Sequence, residues 1–180
     1  MKFNNGSEMY DYIEKNKLGK EFPKGPAIKH CDLLLSKLQP DEEVLVPFLG
    51  IHNYLGPTNH EFNFAFALTN KRFVLAQKKI IGEKFKSILL DNLNDIVYNK
   101  GLFTGVLTVD TIKEKFNIWT GNKEFIGNIY DLLHTNLEKL KSNKNVSTSS
   151  NLDEILKLKQ LLDMGAITQE EFESKKAQLL

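Results

Sequence analysis

The sequence predicts an α+β protein: an antiparallel β-barrel or sandwich of about seven strands, closed by a helix, led by two N-terminal helices and ended by a helical hairpin. Three observations carry this reading. From Glu42 the apolar period changes from helical to two, and short strand-like runs follow one another with turn residues between them. From Asn122 to Leu140 the helical period returns. From Asn151 to Leu180 the chain writes two short amphipathic helices around Gly165.

The first element is a helix over 7–18, with Ser7 as N-cap, Met9, Tyr12 and Ile13 as its apolar side and Gly19 just past its end. In the second, Pro26 follows Gly25 as a first-turn proline, and Ile28, Cys31, Leu34, Leu35 and Leu38 recur at helical spacing before Gln39-Pro40 stops the run. Residues 1–41 thus form a helical lead, expected to pack on the sheet or cap its edge.

Strands are expected over 44–54, 61–68, 72–77, 83–90, 96–98, 102–109 and 115–119. In the second of these Phe62, Phe64, Phe66 and Leu68 fall on one face and Glu61, Asn63, Ala65 and Ala67 on the other, the pattern of a half-buried antiparallel strand. Thr69-Asn70-Lys71 turns the chain tightly, and 91–94 marks another turn. The closing helix presents Phe125, Ile126, Ile129, Leu132, Leu133, Leu137 and Leu140 on one side, suited to cover the open end of the sheet. The barrel with its helix spans 42–141.

Residues 142–150 (SNKNVSTSS) are polar and aperiodic and read as a flexible linker, which lets the tail dock on its own barrel or on another copy. In the tail, Asn151 with Glu154 and Thr168 with Glu171 have the spacing of N-capping pairs. Ile155, Leu158, Leu161 and Leu162 form one apolar stripe, and Ile167, Phe172, Leu179 and Leu180 supply the facing one. Units below roughly 40 residues rarely bury enough surface to fold without a metal, disulfide or partner, so residues 151–180 predict a neighbour to pack on.

The order Met164, Gly165, Ile167, Thr168, Glu171, Phe172, Lys175, Lys176 closely resembles the SHOCT (short C-terminal) module of bacterial and phage proteins. Upstream, the segment FALTNKRFVL from Phe66 to Leu75, then Asp95-Ile96-Val97 and Gly101-Leu102-Phe103-Thr104-Gly105, resembles bacterial PH-like domains, in particular the YokE-like group. These resemblances imply a pleckstrin-homology architecture followed by an appended interaction or oligomerisation element. They also imply a phage or prophage setting and no active site.

Composition sets outer bounds. The chain has 180 residues and a net charge of +1, which gives no global attraction to nucleic acid or acidic membrane. The single cysteine, Cys31, rules out an internal disulfide and fits a reducing cytoplasm. The opening residues predict no secretory signal, and no window is apolar enough for a membrane span.

His30, His52, His60, His134 and Cys31 invite a metal or nucleophile reading, but no second ligand stands at the required spacing. No catalytic residue, metal or cofactor is expected. Lys71, Arg72, Lys78, Lys79, Lys84 and Lys86 fall on two successive hairpins and could bind an anion or acidic membrane; a lysine-guarded sheet edge is the favoured account. Gly101 to Gly105 lacks the ending of a phosphate loop and is a turn, while Trp119 with Phe116 and Ile118 belongs to the core. The expected partner is a protein, self-association first, through Ile155, Leu158, Leu161, Leu162, Ile167, Phe172 and Leu179.

Overall fold

The computed structural model describes residues 1–19, 22–101 and 104–179, with the side chains at 100, 104, 122 and 143–153 outside that description. The chain divides into two compact units, residues 1–136 and 137–180.

The first unit opens with α1 (Gly6–Lys15) and α2 (Lys24–Ser36). The cap of α1 is Asn5 rather than Ser7: Glu8 N donates to Asn5 Oδ1 at 3.0 Å, and the helix therefore begins earlier than expected. Met9, Tyr10 and Ile13 are its buried side. Asp32 of α2 accepts a hydrogen bond from Gly6 N at 2.6 Å, tying the start of α1 to α2. At Gly6 a Cβ would lie 2.4 Å from the Ile28 carbonyl oxygen, so this close approach requires glycine.

Seven antiparallel strands follow: β1 (Val44–His52), β2 (Asn63–Thr69), β3 (Arg72–Lys78), β4 (Glu83–Leu89), β5 (Leu93–Lys100), β6 (Thr104–Thr111) and β7 (Lys115–Asn122). They form one sheet in the order β4-β3-β2-β1-β7-β6-β5. The expected strand start at Leu102 and Phe103 lies outside the described residues. The sheet curls on itself, since Lys86 of β4 reaches Glu114 on the β6–β7 turn. Phe48, Phe64, Phe66 and Phe73 fill its interior, with Phe48 and Phe66 stacked at 5.0 Å.

The half-buried reading of β2 is corrected: Phe64 through Thr69 are all buried. Interior side chains cover one face, and α2 packs against β2 and β3 to cover the other, which alternating alanines admit without crowding. Phe62 is not on the strand at all; it stands exposed with φ +64.

The closing helix belongs to α3 (Lys123–Asp163), whose Ile126, Ile129 and Leu133 are buried and whose Leu132 is exposed. Gly105 on β6 makes room for it: a Cβ there would lie 2.7 Å from Ile126 Cγ2. The helix continues through 142–150 and Asn151, so the expected linker and the expected N-cap at Asn151 are both replaced by helical backbone. Serine and asparagine lower helix propensity, but no Gly or Pro interrupts the run.

In the second unit α3 ends and α4 (Gln169–Leu179) returns. Gly165 adopts φ +73, and Ala166 N donates to Leu161 O at 2.8 Å, satisfying a helix-end carbonyl. The Thr168–Glu171 capping box forms as the spacing predicts, with Thr168 N donating to Glu171 Oε2 at 2.9 Å and Glu171 N to Thr168 Oγ1 at 3.2 Å.

Candidate binding site

Where the β1–β2 and β6–β7 connections meet the first half of β4, the curled sheet leaves an open cavity of about 420 Å³. Phe64 and Leu75 contribute apolar lining, and His52, Asn53, Glu61, Lys84, Lys86 and Glu114 contribute polar groups.

Two backbone bonds place the carboxylate of Glu61 beside His52. His52 N donates to Phe62 O at 3.1 Å and Glu61 N donates to His52 O at 2.9 Å, extending the hairpin past the strand ends. Glu61 then receives Lys84 Nζ at 2.8 Å and Asn53 Nδ2 at 3.1 Å, while His52 Nδ1 lies 3.4 Å away. The Lys84 hydrogen bond holds the Glu61 carboxyl down at about 2, against the upward pull of burial.

His52 is itself buried among Phe64 and Phe116, at ring distances of 5.1 and 5.0 Å. Burial pushes its imidazole below the ordinary range, outweighing the nearby Glu61. Its Nε2 finds no hydrogen-bond partner among the described residues. A neutral ring that donates from Nδ1 to Glu61 leaves Nε2 as an acceptor. This pairing was missed in the sequence because Glu61 is nine positions from His52 and only the hairpin register joins them.

The six candidate cations do not make one patch. Lys71 and Arg72 lie at the start of β3 and Lys78 and Lys79 at its other end, roughly 20 Å apart by the rise of a strand. Five of the six already hold a carboxylate: Lys71 with Asp41 at 2.6 Å, Arg72 with Glu42 at 2.9 Å, Lys78 with Glu83 at 3.3 Å, Lys84 with Glu61 at 2.8 Å, and Lys86 with Glu114. Lys79 has no ion pair among the described residues.

The remaining candidates stand apart. His30 is buried and accepts a hydrogen bond from Lys78 N at Nδ1, 3.0 Å, a structural role. Cys31 is buried, and burial first, then Asp32, pushes its thiol up to about 12, far from a thiolate nucleophile. His60 lies between Tyr54 and Phe62, and His134 lies 5.7 Å from Tyr130. No group of three or more His, Cys, Asp or Glu gathers among the described residues. Trp119 is not core as expected but half-buried, stacking on Tyr54 at 5.6 Å. Within Gly101 to Gly105, residues 102 and 103 lie outside the described residues.

In the hairpin Phe172 is buried, Ile155, Leu158, Leu162, Ile167 and Leu179 are half-buried, and Leu161 is exposed together with Leu156 and Met164. No helix among the described residues is long and apolar enough to cross a membrane.

Comparison with known proteins places these features. The family model described as Bacterial PH domain matches residues 38–135, and the one described as Short C-terminal domain matches residues 153–180. No curated protein matches the chain. Among solved structures, the chain is similar to the hSac2 domain from human phosphoinositide phosphatase Sac2, at 13% identity and TM-score 0.41, over 69% of this chain and 86% of that one. It is also similar to the Vps36 N-terminal PH domain, at 14% identity and TM-score 0.37, over 54% and 84%. A third is the C-terminal domain of an unknown protein from Leishmania infantum, at 17% identity and TM-score 0.40, over 53% and 84%.

Proposed function

The chain belongs to the bacterial PH domain family, and from that membership we propose that it is a non-catalytic interaction and scaffolding protein whose C-terminal hairpin associates with a second copy or recruits a partner. PH and short C-terminal domains are interaction modules, and the hairpin supplies the supporting observation. Leu156, Leu161 and Met164 stay exposed on a short unit in which Phe172 is the one large side chain buried among the described residues. Exposed apolar surface in contiguous patches marks an interface.

Among the described residues no convergent acid, base and nucleophile set supports an enzymatic reading, and Cys31 is held as a buried thiol. A polyanion-binding reading through Lys71 to Lys86 gains no support either, because five of its six cations are paired. The lone cysteine and the resemblance to YokE-like proteins favour a reducing cytoplasm and a phage or prophage setting.

Light scattering on the full chain beside Leu156→Glu/Leu161→Glu tests this reading. Both side chains are exposed, so the hairpin keeps its fold and only its outer surface changes. Self-association of the parent that the variant loses supports the proposal. A monomeric parent that also captures no partner through the hairpin removes it.

A further inference from the structure

A second cavity, of about 380 Å³, opens where α2, the β1–β2 connection and the β3–β4 turn come together, and His30, Phe62, Asn63, Gln77, Lys79 and Ile80 contribute to its wall. It shares no lining residue with the cavity around His52. His30 lies on α2, ahead of the residues that match the PH domain family, so this site is a feature of the chain's own helical lead.

Gln77 is only 6% exposed. Its Nε2 donates to Glu61 O at 3.1 Å and to Asn63 O at 3.0 Å, which uses both amide hydrogens and fixes which end of the side chain is oxygen. Oε1 is left buried with no hydrogen-bond partner among the described residues. Buried polar atoms are nearly always bonded, so this acceptor is matched to a donor brought from outside the chain.

His30 is equally buried, and its Nδ1 accepts from Lys78 N at 3.0 Å. An accepting Nδ1 places the ring hydrogen on Nε2, and burial favours that neutral form. Two elements thus bring one neutral acceptor and one neutral donor to the same wall.

The apolar part of the wall is exposed, Phe62 at 70% and Ile80 at 105%. Phe62 holds a φ of +64, unusual for a bulky residue, and its backbone is fixed there by His52 N donating to its carbonyl at 3.1 Å and by its own N donating to His60 Nδ1 at 3.1 Å. Backbone strain of this kind concentrates at ligand clamps.

Charge narrows the occupant. Lys78 is engaged by Glu83, and Lys79 has no ion pair among the described residues. An anion could meet Lys79 but has no hydrogen to give Gln77 Oε1. An ammonium group could donate there, but it would face Lys79 and could not accept from His30. An amide does both while staying neutral, with its donor and acceptor on separate atoms that can reach two side chains.

We propose that this cavity binds a small neutral molecule carrying an amide on an apolar or aromatic body, with its N–H donating to Gln77 Oε1, its carbonyl accepting from His30 Nε2, and its body held between Phe62 and Ile80. The cavity belongs to the first unit and not to the hairpin, so this inference and the scaffolding reading fail independently.

The test is an NMR titration of the isotope-labelled full chain with phenylacetamide, phenylacetate and 2-phenylethanol. Phenylacetamide should give saturable shifts at the Gln77 side-chain amide and at the Lys78 and Phe62 N–H groups, in the millimolar range expected of so small a ligand. Phenylacetate has the same shape without the donor and should bind about tenfold more weakly or worse. Phe62→Gly removes one wall and puts glycine at a positive φ, so binding should fall about fivefold while the unfolding midpoint does not drop. Ile80→Ser, at a side chain outside the core, should weaken binding as well. Four results would each overturn the inference. One is the absence of saturable shifts at these groups. Another is phenylacetate binding as well as the amide or better, which would assign the site to Lys79 and an anion. The third is 2-phenylethanol matching the amide, and the fourth is parental affinity in both Phe62→Gly and Ile80→Ser.

Discussion

Arg72 grips both oxygens of Glu42, Nε to Oε1 and Nη2 to Oε2, each at 2.9 Å, with the Glu42 side chain fully buried. Thr69 Oγ1 adds a hydrogen bond to Oε1 at 2.8 Å and Gln39 N one to Oε2 at 3.0 Å. The β2–β3 turn is thereby locked to the segment that enters β1.

Arg72→Met should destabilise the protein by about 3–5 kcal/mol, because it leaves a buried carboxylate without its counter-charge. Glu42→Gln/Arg72→Met together should cost less than Arg72→Met alone. Urea unfolding of the two variants at neutral pH checks this, and equal losses would argue against a buried ion pair. Burial alone would raise the Glu42 pKa, but Arg72, Gln39 and Thr69 outweigh it and lower the value. A depressed folded-state pKa stabilises above the unfolded value and loses that stability as pH falls through the folded one. The Glu42 contribution should accordingly disappear in acid.

Glu61 should titrate at about 2 in the folded protein. Lys84→Met removes the main cause and should move the carboxyl back up toward the ordinary range of about 4.3. A pH titration of Glu61 by NMR decides the matter; an unchanged midpoint would show that Lys84 does not control it.

His52 carries a pKa lowered by burial, so its protonation favours the unfolded chain. The stability it contributes is present above about 6.5 and falls away as pH drops toward the folded value. His52→Phe should remove this component, leaving a flatter stability curve between pH 7 and 5 than the parent shows. Parallel slopes for the two proteins over that window would contradict the assignment.

Thr168→Ala removes the Oγ1 that accepts from Glu171 N and should cost about 1 kcal/mol of hairpin stability. Gly165→Ala should cost a similar amount, since φ +73 strains any residue bearing a Cβ. Hydrogen exchange within α4 reports both. Slow exchange at parental rates in either variant would count against a cap-dependent hairpin.

Much of the fold was legible locally. The strand positions from Val44 to Trp119 follow from period-two patterning, and the Thr168–Glu171 box from spacing alone, because both depend on residues close in the chain. Phe62 shows where such reading fails: its alternation with Phe64 and Phe66 places it on the strand, but the bond from His52 N to its carbonyl and a positive φ turn it outward. Helix continuity through 142–150 was missed for a related reason, as polar composition lowers helix propensity without forbidding a helix.

By itself the sequence determined the antiparallel meander, the closing helix and the capped hairpin, since short-range hydrogen bonds and apolar periodicity specify each. The tertiary structure alone decided the cavity pairing of His52 with Glu61 and Lys84 and the separation of Lys71 and Arg72 from Lys78 and Lys79. Those relationships depend on strand register and sheet curl, which join residues that no local period connects.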